Sequence, residues 1–120
     1  MTIEWERLEQ PEFDRIIELL VRDRFGADAR SVNGKGGDEG IDIEVNVCGR
    51  PWIMQLKFFP GGFSTEQRKR RRQIVDSYNK AQQHRPVIWS LVVPSLCSTP
   101  EHNFVKSLNG RPSVTPHHRH

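Results

Sequence analysis

Apolar and polar positions along the chain switch between helical and strand periods, and the switches mark the elements. From Pro11 to Phe25 the period is helical. Phe13, Ile16, Ile17, Leu20, Val21 and Phe25 fall on one broad arc when residues are placed every 100°. Pro11 suits the first helical position and Gly26 the stop. Asp14 falls inside that arc, and Glu18 just outside its edge. An acid within an apolar stripe is costly unless something pairs with it, so Asp14 asks for an explanation beyond packing.

After Gly26 a short strand is predicted around Arg30 to Val32. It leads into "NGKGGDEG", where four glycines in seven residues mark a loop. Two stretches with period two follow, roughly Ile41 to Cys48 and Trp52 to Phe58. Ile41, Ile43, Val45 and Val47 share one face, and Asp42, Glu44 and Asn46 the other. On the return strand Met54, Leu56 and Phe58 share a face, opposite Ile53, Gln55, Lys57 and Phe59. A turn at Gly49-Arg50 with Cys48 opposite Pro51 sets Asp42 across from Lys57 and Glu44 across from Gln55, with paired Cβ atoms about 5 Å apart. A carboxylate, an amide and an ammonium then converge on one patch, a set suited to holding a hard metal ion and activating water on it.

The breaker "FPGGF" precedes a second helix, opened by Ser64 with Gln67 as a capping box and running to about Gln83. Ile74, Val75, Tyr78 and Ala81 give it an apolar stripe. The continuous run "PVIWSLVV" reads as a buried strand ending at Pro94, and a third helix from Thr99 to Leu108 has Pro100 in its first turn. The order predicts an α/β domain with a mixed four-stranded sheet flanked by helices. Residues 1–110 form the domain, and 111–120 form a loose tail without periodicity. The last element reads as unfinished, so a domain cut from a longer protein is expected.

Composition narrows the picture. A chain of 120 residues holds one domain, and 35% apolar content gives it a small core. The net charge is +3, with five consecutive cations from Arg68 to Arg72 and the acids concentrated between Glu4 and Glu44. No stretch is apolar enough to span a membrane, and the acidic N-terminus has no signal-like core. Cys48 and Cys97 make neither a metal spacing nor a disulfide framework, so a cytoplasmic protein with free thiols is expected.

The segments "PEFDRIIELL", "GGDEGIDI", "QLKF" and "WSLVVP", in this order over roughly Pro11 to Pro94, resemble the Mrr-like branch of the PD-(D/E)xK nucleases. The resemblance implies the restriction-endonuclease-like fold, with an α-β-β-β-α-β core. It also implies a Mg²⁺- or Mn²⁺-dependent endonuclease that hydrolyses DNA phosphodiester bonds, often in prokaryotic defence and fused to a sensing or recognition module. Asp42 matches the family's metal-binding aspartate, Lys57 its motif lysine, and Gln55 the motif acid, which Mrr-like members often replace by glutamine. Asp14 stands where the family usually has a glutamate after phenylalanine, and is one methylene shorter.

Donor chemistry points the same way. Magnesium takes oxygen ligands and keeps several waters; Asp42 offers a charged oxygen, Gln55 a neutral one and the Leu56 backbone carbonyl a third. Lys57 can orient or deprotonate the attacking water, or stabilise charge on the transition state. Asp14 can support through water or by orienting Lys57. Arg68, Lys69, Arg70, Arg71 and Arg72 suit the backbone of double-stranded DNA, without sequence readout.

Blander readings stand beside these: a surface salt bridge for Asp42 and Lys57, a dipole-favoured acid for Asp14, and a solvated face for the basic run. Glu18 and Glu44 read as solvated, His84 as a helix cap, His117, His118 and His120 as tail, and the three tryptophans as packing. Double-strand cutting would need two copies, hence a homodimer or higher assembly. The alternative function is a degenerate nuclease-like module that binds nucleic acid without cutting. A ribonuclease toxin domain is a third reading.

Overall fold

The computed structural model describes residues 4–33, 41–108 and 111–112. Its order is α1 (Gln10–Phe25), β1 (Ala29–Asn33), β2 (Ile41–Val47), β3 (Arg50–Leu56), α2 (Arg68–Gln82), β4 (Ile88–Val92), α3 (Thr99–Lys106) and β5 (Arg111–Pro112). Short 3₁₀ turns at Trp5–Arg7 and Gly26–Asp28 flank α1. The strands lie in the order β1-β2-β3-β4-β5. The first three are antiparallel neighbours, and β4 pairs parallel with β3 after the α2 crossover. The α/β class and the mixed four-stranded core agree with the hydrophobic pattern. Arg111 and Pro112 add a two-residue strand parallel to β4, where a loose tail was expected; the rest of that tail lies outside the described residues.

Helices cover both faces of the sheet. On one face Phe13, Ile17 and Val21 of α1 pack with Ile43, Val45, Met54, Leu56 and Val92. On the other, Ile74 and Ala81 of α2 and Val105 of α3 pack with Ile53, Trp89 and Leu91. Each fully buried Leu, Ile or Phe side chain contributes about 2 kcal/mol by leaving water. Ring pairs set the direction of α1. Phe13 meets Phe58 (5.8 Å between centroids) just beyond the end of β3, and Phe25 meets Trp52 (5.6 Å) near its start. The N-terminus of α1 therefore lies at the Lys57 end of the sheet.

The hairpin turns one residue earlier than expected. Its turn residues are Cys48 and Gly49, Val47 pairs with Arg50, and Asp42 pairs with Gln55 in place of Lys57. Glu44 faces Ile53 and not Gln55. The reason is dihedral. A two-residue turn matched to strand twist wants positive φ at both central positions, and Cys48 (φ 53) and Gly49 (φ 86) both have it. Asn46 Oδ1 accepts from the Gly49 N–H at 2.9 Å and secures the turn. The register moves by two residues, so every side chain keeps its expected face.

Helix α2 also begins later than the sequence suggested. The Gln67 N–H donates to the Ser64 carbonyl (2.8 Å) in a separate turn, and the helix starts at Arg68 without a side-chain cap. The stronger cap lies on α3. There Ser98 Oγ accepts from the Glu101 N–H, and Glu101 Oε1 accepts from the Ser98 N–H at 2.7 Å.

Among the described glycines Gly62 has the tightest surroundings. Its φ is 89°, and a Cβ there would run into the Glu101 carboxylate, whereas Gly61 (φ 83°) faces open space. Gly61→Ala is expected to cost about 1 kcal/mol of left-handed strain. Gly62→Ala, which adds displacement of a buried hydrogen-bonded carboxylate, should cost about 2–4 kcal/mol. Urea unfolding of the two variants checks this; equal losses would remove the steric account.

Candidate functional site

Strand alternation carries the polar residues of β3 into the protein. Met54, Leu56 and Phe58 pack on the α1 side, while Ile53 and Phe59 pack on the α2 side. Gln55 and Lys57 fall between them, on the α2 face. Both are 5% exposed, an unusual place for a lysine and an amide. Each engages a partner. Past the last β3 residue the Lys57 N–H still donates to the Val92 carbonyl at 3.0 Å, so the parallel ladder extends to the lysine backbone. Directly across β2 from Gln55 stands Asp42. The Asp42 side chain lies outside the described residues, as do Asp38, Glu39 and the rest of the glycine-rich loop.

Asp14 belongs to the other layer. It sits one residue after Phe13 on α1, at the Lys57 end of the sheet, but on the face opposite Gln55 and Lys57. Its Oδ1 is buried with no hydrogen-bond partner among the described residues. Burial pushes its carboxyl from 3.8 up to about 6; the Glu18 charge adds to this, and a hydrogen bond from Gln10 opposes it. Glu18, expected in solvent, accepts a hydrogen bond from the Ser31 hydroxyl on β1. Glu44 pairs with Arg30 at 3.2 Å across the exposed part of the sheet.

The basic run divides in two. Arg68, Lys69 and Arg72 are exposed. Arg70 and Arg71, expected with the rest of the run at a DNA backbone, turn back onto the loop between β3 and α2. Arg70 NH1 donates to the Pro60 and Gly62 carbonyls (2.7 Å each), and Arg71 Nε donates to the Phe63 carbonyl at 2.9 Å. Their guanidinium groups lie over Phe59 (5.1 Å) and Phe104 (4.4 Å). Helical spacing puts Arg70 and Arg71 on the side of Ile74, Val75 and Tyr78, but the loop carbonyls that receive them are not visible in a run of cations. Glu101 was missed for a similar reason. It carries a helix-capping signature, yet its second oxygen accepts from the Phe63 N–H at 2.7 Å, far away in sequence.

Trp5 and Trp89 are buried and Trp52 half-buried, as packing residues would be. Burial, and to a lesser extent Glu101, pushes the Cys97 thiol up to about 12, which favours the protonated form. An open cleft of about 350 Å³, lined by Asp28, Arg30, Glu44 and Arg50 among others, lies at the turn end of the hairpin, away from Lys57.

Among the described residues no three or more His, Cys, Asp or Glu gather into a metal-binding group. By residue type, Gln55 and Asp42, paired across the hairpin, carry the oxygen donors that a hard cation takes. No family model matches the chain, and no curated protein or solved structure matches it either. No helix among the described residues is long and apolar enough to cross a membrane.

The raised Asp14 value has a measurable consequence. An acid whose folded value exceeds its unfolded value binds its proton more tightly when folded. The stability this lends is complete below about pH 3.8 and is lost as pH rises through about 6. Asp14→Asn should therefore stabilise the protein at pH 8, by on the order of 1 kcal/mol after allowance for solvent screening. The gain should fade toward pH 4. Thermal melts across this range check it; a gain independent of pH would exclude titration of Asp14 as the cause.

Proposed function

We propose that the protein is a metal-dependent endonuclease with the restriction-endonuclease-like fold, hydrolysing DNA phosphodiester bonds. The observation that carries this reading is the buried Gln55–Lys57 pair on one face of β3, with Asp42 directly across the hairpin from Gln55. A lysine and an amide are costly to bury, and a structural role would be filled more cheaply by apolar residues. The helix–three strands–helix–strand order with β4 parallel to β3 is consistent with the Mrr-like resemblance.

On this reading Asp42 and Gln55 hold Mg²⁺ or Mn²⁺, with the Leu56 carbonyl as a third oxygen. The ion when bound supplies Lewis acidity toward the phosphate and the attacking water. Lys57 orients that water by hydrogen bonding and places a positive charge, shielded from solvent, beside the phosphoryl oxygens as negative charge builds on them. Asp14, across the sheet, acts on this group only around the strand ends and is a supporting acid. Arg68, Lys69 and Arg72 contact the DNA backbone, and the duplex is held by charge without base reading. Cutting both strands calls for two copies, so DNA-bound protein is expected to be dimeric. A cytoplasmic role in prokaryotic defence, with a recognition module elsewhere, accompanies the same reading.

Two observations favour a second reading, a nucleic-acid-binding module that no longer cuts. Gln55 is neutral where an acid would bind metal more tightly, and Asp14 lies on the other layer. Such a module would hold DNA equally well with and without Mg²⁺.

Plasmid cleavage with Mg²⁺ or Mn²⁺ tests the proposal. Wild type should nick or linearise the plasmid only with metal, and Asp42→Ala and Lys57→Ala should each lose about 10²-fold or more while still binding DNA. Gln55→Glu, which restores an acid, should lower the metal concentration needed for half-maximal binding or cutting. Cutting that survives both alanine substitutions would refute this site. Absence of cutting with metal-independent DNA binding would favour the second reading.

A further inference from the structure

The loop that leaves β3 is fastened far more heavily than a turn requires. It runs from Phe59 to Phe63, beginning two residues after Lys57. The Phe59 N–H donates to the Lys57 carbonyl (3.0 Å), and the Gly62 N–H donates to the Phe59 carbonyl at 2.9 Å. Arg70 then takes two loop carbonyls, Arg71 a third, and Glu101 the Phe63 N–H. Phe63 itself is fully buried and tilted against Phe104, the ring that Arg71 covers. Two side chains from α2 and one from α3 thus converge on five loop residues whose first member is bonded to Lys57. Two glycines with positive φ make the loop intrinsically loose, which gives these contacts something to restrain.

The geometry points to Arg70, Arg71 and Glu101 as positioning residues for Lys57. The lysine backbone is held on one side by Val92 and on the other by a loop with little freedom to shift. Displacement of a catalytic group by about 1 Å can cost about 10²-fold in rate, so a rigid exit from β3 matters if Lys57 acts on water or phosphate. This inference rests on the nuclease reading for the role of Lys57. It also separates the basic run by task, with Arg70 and Arg71 holding the site and Arg68, Lys69 and Arg72 holding the nucleic acid.

The test uses the full chain with Arg70→Lys, Arg71→Lys and Glu101→Gln, each confirmed folded by near-ultraviolet circular dichroism; three variants keep it decisive if one fails to fold. Lysine keeps the charge but loses the planar donors and the stacking face. The first readout is reductive methylation of Lys57 followed by mass spectrometry. Labelling should be slow in the wild type and several-fold faster in the variants. The second is plasmid cleavage, where kcat should fall about tenfold or more with DNA affinity and its salt dependence unchanged. A phosphate contact would behave differently, lowering affinity and removing about one unit of salt slope. Folded variants with unchanged labelling and unchanged kcat overturn the inference, as does a loss confined to DNA affinity. If the wild type cuts nothing but labelling still rises in the variants, the nuclease reading fails while the positioning of Lys57 stands. If the wild type cuts and labelling does not change, only the positioning fails.

Discussion

Burial of β3 on both faces is the constraint from which the rest of the arrangement follows. With α1 on one side and α2 and α3 on the other, each side chain of β3 from Ile53 onward is buried. The apolar ones repay this by packing. Gln55 and Lys57 cannot, and must be satisfied inside the protein. Each engages a partner there, and the hairpin register pairs Asp42 with Gln55 along the backbone. The same burial puts the end of β3 under the control of both α2 and α3, because the chain has to leave the sheet through a loop that those helices enclose.

That enclosure explains how the basic run is used. A helix beginning at Arg68 presents successive residues around its axis, so five cations cannot all face one way. Those turned inward meet the loop carbonyls and the rings of Phe59 and Phe104, where a guanidinium can spend its donors and its flat face together. One Arg71 nitrogen stays buried without a partner among the described residues, which indicates how closely the group is drawn in. Those turned outward remain in water.

Much of the layer structure was legible because period-two and period-3.6 patterns report burial directly. The faces of β2 and β3, the apolar arc of α1 apart from the exposed Leu20, and the strand at Ile88–Val92 follow from such patterns. The intrusion of Asp14 into that arc was equally legible, since a carboxylate among Val21 and Phe25 shows its strain in one dimension. What escaped depends on φ or on contacts distant in sequence. The turn at Cys48-Gly49 needs a left-handed cysteine, which residue type alone does not announce. The capping box at Ser64 yielded to a separate turn, and the longer reach of Glu101 to Phe63 spans 38 residues. A two-residue error in register leaves each side chain on its expected face, because the strand period is two.

Charge balance gives Gln55 a physical reason on the proposed reading. Asp42 and Lys57 carry opposite unit charges, so the patch with glutamine is neutral by residue type before any ion or phosphate arrives. An acid at position 55 would leave a net negative charge beside a strand shielded on both faces, at a cost that grows as water is excluded. Glutamine avoids that standing cost and gives up part of the attraction for a cation. The phosphate of a bound nucleic acid can return that attraction, because its oxygens add to the donors for the ion and its charge answers Lys57. A neutral amide at this position therefore favours assembly of ion and substrate together over a site loaded in advance. On the same reading the exposed Arg68, Lys69 and Arg72 draw the nucleic acid in and so take part in recruiting the ion.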